Sequence, residues 1–149
     1  MPLQRERQWV DVHTIKHKPP PEYSGLASFP SLARYTSYSF LGAGAFGRVY
    51  AAVHGELGRI EAVKRIEIRD PRQRQMALAE AETLAKFSPH PNLVTLYNAE
   101  CDDQALYLLL QYIDGVPADW RVPNLESRNL PFLTLRLQHA AVTLDLFTT

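Results

Sequence analysis

The chain has 149 residues, 46% hydrophobic and 21% charged, which suits about one globular domain and excludes collagen-like, wholly disordered and disulfide-scaffold proteins. Its 16 basic side chains balance 16 acidic ones, so it lacks the basic surface on which nucleic-acid binding rests. One cysteine, Cys101, and no apolar run of about 18 to 20 residues exclude an internal disulfide and a membrane helix; with no apolar secretory core either, cytoplasm is the expected compartment and the nucleus stays open.

Residues 1–34 carry Pro2, Pro19, Pro20, Pro21 and Pro30 among polar residues with no sustained period, and read as a flexible, extended arm. Trp9, Val10 and Val12 form its one apolar spot, suited to docking on a partner or on the chain's own domain. His13 and His17 stand four apart but bring no further ligands, and read as solvated.

From Tyr35 the texture changes. Tyr38 to Leu41 leads into Gly42, Gly44 and Gly47, and Val49, Ala51 and Val53 then alternate, which predicts two strands joined by a glycine turn. Ile60, Ala62, Lys64, Ile66 and Ile68 follow at period two as a third strand. Asp70, Pro71 and Gln73 supply an N-cap, a proline at the first helical position and a glutamine at the third, predicting a helix that runs to Phe87 before Pro89 and Pro91. Val94, Leu96 and Ala99 fit a fourth strand, Asp102 and Asp103 a turn, and residues 106–113 a fifth strand.

Residues 42–47 spell G-x-G-x-x-G, a spacing shared with dinucleotide-binding folds. Such a fold needs a helix opening at the last glycine and an acidic residue about 20 positions on, and Glu61 stands near that place. The helix is excluded, because Arg48 to Val53 alternates and Gly55 and Gly58 would break it. The loop joins two strands. Lys64 lies among the same-face neighbours Ala62 and Ile66, where burying an ammonium is costly unless a phosphate or carboxylate meets it.

Leu41-Gly42-Ala43-Gly44-Ala45-Phe46-Gly47-Arg48-Val49, Glu61-Ala62-Val63-Lys64, Glu80, His90-Pro91-Asn92-Leu93-Val94 and Leu106 to Gly115 occur in that order. Together they resemble the N-terminal lobe of the eukaryotic-type protein kinase family, over residues 35–119. The resemblance implies an α+β fold: a five-stranded antiparallel sheet with one long helix between strands three and four. It also implies ATP as the ligand. Glycines 42, 44 and 47 bare the loop backbone to the phosphates, with Ala43, Ala45 and Phe46 completing the loop. The resemblance gives Lys64 the role of the family lysine that contacts the α and β phosphates and pairs with a helix glutamate. The family places a leucine one turn after the pairing glutamate, so by resemblance Leu84 selects Glu80 over Glu82, and Glu80 shares a helix face with Met76 and Leu84, expected to point inward. Leu41, Val49 and Ala62 form the upper wall of the adenine slot, Leu110 is the gatekeeper, and Gln111, Tyr112 and Ile113 form the hinge.

Residues 120–149 leave the kinase pattern: the chain has no His-Arg-Asp, Asp-Phe-Gly or Ala-Pro-Glu and none of the family's Mg²⁺ ligands, and Asp145-Leu146-Phe147 reads as a chance echo. Leu133, Leu135 and Leu137 alternate and suit a hairpin, a cap on the lobe's underside, or an unrelated tail left by splicing, frameshift or a wrong gene boundary. The expectation is a truncated kinase-family chain, inactive alone, with His90-Pro91-Asn92 leaning toward the Ser/Thr type. The alternatives are a non-enzymatic interaction module or decoy, and a nonfunctional truncated product. Protein partners are expected at the underside around Leu41, Val49, Leu84, Leu96 and Leu110. No membrane partner is expected.

Overall fold

Side-chain alternation turns one set of residues to each face of a sheet, and in the computed structural model, which describes residues 7–27, 29, 33–44, 47–91 and 93–114, that sheet is antiparallel. Its strands are β1 (Val10–Asp11), β2 (Tyr35–Gly44), β3 (Gly47–His54), β4 (Ile60–Glu67), β5 (Leu96–Cys101) and β6 (Ala105–Gln111), ordered β1-β2-β3-β4-β6-β5 in space. Helices α1 (Val12–His17) and α2 (Pro71–Phe87) and a 3-10 helix (Pro21–Leu26) complete the described elements.

The sheet has six strands where five were expected. The sixth comes from the N-terminal stretch: Val10 pairs with Tyr38 and Asp11 with Ser37, which occupies part of the β2 edge. Nor is that stretch an extended arm. Asp11 caps α1 by accepting from the His13 amide at 2.7 Å, and Val12 and Ile15, three apart, are both buried. Pro20 and Pro21 stand at the cap and first position of the 3-10 helix, where fixed φ and a missing N–H cost nothing. Tyr23 and Leu26, again three apart, are buried with Phe29. The prolines redirect the chain between two short helical turns rather than holding it straight.

α2 starts where the capping residues predicted. The Asp70 carboxylate accepts from the Gln73 amide at 2.8 Å, and the Gln73 side-chain oxygen accepts from the Arg69 amide at 2.8 Å. Within it Ala77, Ala81 and Leu84 are buried, whereas Met76 is exposed, against the expectation that it points inward. β5 begins at Leu96, two residues later than expected.

Both faces of the sheet are covered. On the outer face Val12, Ile15, Tyr23, Leu26 and Phe29 from the N-terminal segment pack with Tyr35, Tyr38, Tyr50, Ala52, Val63, Tyr107 and Leu109. Phe29 stacks on Tyr107 with ring centroids 4.1 Å apart. On the inner face Val49, Ala62, Ile66, Leu106, Leu108 and Leu110 pack with Ala77, Ala81 and Leu84 of α2. β6 is accordingly buried from Ala105 through Leu110. Burial raises the pKa of Tyr35, Tyr38 and Tyr50. Tyr35 gains a further push from its hydrogen bond to Glu61 at 2.8 Å, while Tyr38 has no hydroxyl partner among the described residues. Ala45, Phe46, Asn92 and the readings placed on residues 115–149 lie outside the described residues.

Candidate functional site

The glycine turn is a tight antiparallel hairpin in which Gly42 faces Val49, Ala43 faces Arg48 and Gly44 faces Gly47. Gly47 is required by its surroundings. Its φ is +142°, and a Cβ there would lie 2.0 Å from the main-chain oxygen of Arg65. A Cβ on Gly42, by contrast, would meet nothing within 4 Å, so no neighbour within the described chain demands that glycine. Gly47→Ala is therefore expected to cost about 1 to 3 kcal/mol from backbone strain alone, with a further loss from the clash, whereas Gly42→Ala leaves stability nearly unchanged; paired denaturant titrations measure both.

β4 carries the next two groups. Ala62 and Lys64 face inward, and Lys64, paired across the strands with Val49 and Leu108, is only 1% exposed. Its ammonium lies 3.7 Å from the Glu80 carboxylate, whose side chain is 7% exposed. The partner is therefore Glu80, while Glu82 is exposed on the same helix. Glu80 is brought there by the stripe of Ala77, Ala81 and Leu84 that seats α2 on the sheet.

The predicted slot residues converge. Val49, Ala62 and Leu110 are buried in the inner cluster, with Leu41, Tyr112 and Ile113 packed against it. Ala62 pairs directly with Leu110, which sets the small residue beside the position expected to be the gatekeeper. Gln111 is tied to Thr95, the residue before β5, its amide donating to Thr95 O at 2.8 Å and its side-chain oxygen accepting from the Thr95 amide at 3.3 Å. That amide is thus spent on Thr95, which leaves the main chain beyond it for the hinge role expected of residues 111–113. The Tyr112 hydroxyl accepts a hydrogen bond from Arg7, whose guanidinium lies 5.0 Å from the Tyr112 ring centroid, and burial raises the Tyr112 pKa against that charge.

Two concavities flank this cluster. One, of about 570 Å³, is lined by Ala43, Gly44 and Gly47 of the hairpin and by Met76, Ala77 and Glu80 of α2. The other, of about 620 Å³, is lined by Leu93, Thr95, Gln111 and Ile113. Val49, Ala62 and Leu110 are buried and line neither. The first cavity also reaches Ser24, Gly25, Arg48 and Arg65, which sequence reasoning did not single out. The signal for them was β6: an unbroken apolar run implies cover on both faces of the sheet. Among the described residues no group of three His, Cys, Asp or Glu side chains converges on a metal site, and no helix is long and apolar enough to cross a membrane.

Comparison with known proteins matches residues 35–133 to the family described as "Protein kinase domain". The chain is 34% identical over 85 residues to the MAP kinase kinase kinase SSK2 of Saccharomyces cerevisiae, covering 55% of this chain and 5% of that protein. It is 39% identical over 83 residues to the cell division control protein 2 homolog 3 of Trypanosoma brucei brucei, covering 54% and 26%, and 30% identical over 80 residues to the serine/threonine-protein kinase pak-2 of Caenorhabditis elegans, covering 54% and 15%. Among solved structures, the twitchin kinase region of C. elegans superposes with a TM-score of 0.55 at 26% identity over 62% of this chain and 16% of that one. The chain thus spans a minor part of each of these relatives.

Proposed function

Because the chain belongs to the protein kinase domain family, we propose that it binds ATP through its glycine hairpin, Lys64 and hinge, and that these 149 residues alone transfer no phosphoryl group. The observation that carries the reading is the buried Lys64–Glu80 pair at 3.7 Å. A buried ion pair is seldom better for stability than apolar residues of equal volume. Here it holds an ammonium at the strand next to the hairpin, as phosphate neutralisation requires. Glu80 orients Lys64, and the bare hairpin backbone admits phosphate oxygens. Mg²⁺, when bound in the family, offsets phosphate charge; no step is assigned to it on these residues. Likeness to pak-2, a serine/threonine-protein kinase by name, supports a Ser/Thr type for a longer protein containing this lobe.

The test is calorimetric titration with ATP. The expected dissociation constant is weaker than about 100 μM, under about 5.5 kcal/mol, and Lys64→Met weakens it at least about tenfold, because a buried charge contact to phosphate is lost. Labelled ATP with generic protein substrates should give no transfer above that variant. Tight Mg²⁺-dependent binding, or turnover abolished by Lys64→Met, would contradict the proposal. A second reading, a non-enzymatic interaction module, is favoured by the exposed Met76, Leu78 and Phe87 along α2. Absence of any ATP binding would select it.

A further inference from the structure

We infer that Arg65 and Arg48 are positioning residues that clamp the N-terminal segment onto the glycine hairpin and onto the strand carrying Lys64. The inference extends the nucleotide-site reading, on which its functional arm rests. Alternation along β4 turns Lys64 inward and its neighbour Arg65 outward. Whatever holds the Arg65 side chain therefore holds the backbone next to Lys64.

Arg65 Nε donates to Gly25 O at 3.2 Å and lies 3.4 Å from the Tyr107 hydroxyl, which itself donates to Gly25 O at 2.7 Å. One carbonyl of the 3-10 helix thus collects donors from two paired strands, since Arg65 and Tyr107 are cross-strand partners. Arg48, one residue after Gly47, donates to Pro21 O at 3.3 Å and Glu22 O at 3.1 Å, and Tyr50 donates to Glu22 O. Arg48 and Arg65 are themselves direct cross-strand partners. Like charges placed opposite each other oppose strand pairing. Main-chain carbonyls of the 3-10 helix, Pro21 O and Glu22 O for Arg48 and Gly25 O for Arg65, accept from both. No carboxylate pairs with either arginine among the described residues. The segment's backbone is what answers the two charges.

Steric detail ties the clamp to the site. A Cβ on Gly25 would lie 2.4 Å from Arg65 Nε and 2.6 Å from its Cζ, so glycine is what admits the guanidinium. On the other side of the same residue, the Arg65 carbonyl occupies the space that a Cβ on Gly47 would need. Arg65 therefore touches the N-terminal segment with its side chain and the end of the hairpin with its backbone. The outer cover and the inner site share one residue.

The test uses the full chain with Arg65→Gln, Gly25→Ala, the two combined, and Arg34→Ala as a control on the Arg34–Glu100 pair away from the clamp. Hydrogen exchange, which needs no nucleotide, should accelerate about tenfold at amides 42–50 and 62–67 in each single variant. The double variant should add little, because both changes break one contact, and Arg34→Ala should leave those amides unchanged. Gly25→Ala alters no residue of the sheet and so separates the clamp from damage to β4. Unchanged exchange in both single variants overturns the inference, as does acceleration spread equally over α2 and β6, which would reduce Arg65 to a general stability contact. In the second arm ATP affinity should fall about fivefold in both single variants and recover in part with Arg65→Lys, which keeps the charge and one donor. If the unmodified chain binds no ATP, the nucleotide reading fails while the exchange arm still decides the clamp.

Discussion

Removal of residues 1–32 should leave the remaining chain without a cooperative fold. Val12, Ile15, Tyr23, Leu26 and Phe29 are all buried against the outer face of the sheet. Burying one such side chain is worth about 1.5 to 3 kcal/mol, so five contribute about 7 to 15 kcal/mol, the size of an entire domain's stability. Their loss also uncovers Tyr35, Tyr38, Tyr50 and Tyr107 together, an apolar surface that no other element among the described residues covers. The expected result is a chain that shows no sharp thermal transition by circular dichroism and binds a hydrophobic dye. A milder version is Leu26→Ala, a large-to-small change at a fully buried position, which should cost about 2 to 5 kcal/mol. A shortened chain that melts cooperatively within a few degrees of the full one would refute this account of the segment.

The second large effect is alkaline. Tyr35, Tyr38 and Tyr50 have pKa values raised chiefly by burial, with the Glu61 carboxylate adding to the shift at Tyr35. In the unfolded chain they titrate near 10. Above that pH the unfolded state sheds protons that the folded state keeps, so it binds fewer protons and stability falls as pH rises. Below about pH 9 both states keep them and the three contribute no pH dependence. Each tyrosine gives a slope of about 1.4 kcal/mol per pH unit, and the three together about 4. Urea midpoints should therefore be flat in this respect from about pH 7 to 9 and drop steeply above about 10. The phenolate absorbance of Tyr35, Tyr38 and Tyr50 should appear in one cooperative step coincident with unfolding. Gradual titration of these three near pH 10 in a chain that stays folded would contradict the burial argument.

The parts legible in the sequence were those specified by neighbours in the chain. The α2 start rests on Asp70, Pro71 and Gln73, three residues whose capping chemistry is local. Strands β2 to β4 rest on period-two alternation, whereas the choice of Glu80 over Glu82 rests on the family resemblance, which places a leucine one turn on, at the buried Leu84. The N-terminal cover was not legible, because Val12 with Ile15 and Tyr23 with Leu26 each make a single turn, too short to establish a period. Prolines between them looked like linker, although proline also starts helices. Met76 misled for a different reason: i, i+4 spacing places it near Glu80 but does not say where the seated stripe ends. Arg48 and Arg65 looked like ordinary polar positions because their partners are main-chain carbonyls of residues 21–25, and carbonyls have no sequence signature.

The bond from Tyr107 to Gly25 spans 82 positions, and this distance sets an order on chain synthesis. Residues 12–29 leave the ribosome first, yet the surface they cover is incomplete until β6 has followed. At roughly 5 to 20 residues per second, the segment waits about 4 to 16 s with Ile15, Leu26 and Phe29 exposed. Closing so long a loop is also entropically slow. During that interval the segment's apolar side chains stay in water, and their burial waits on the emergence of residues 105–111.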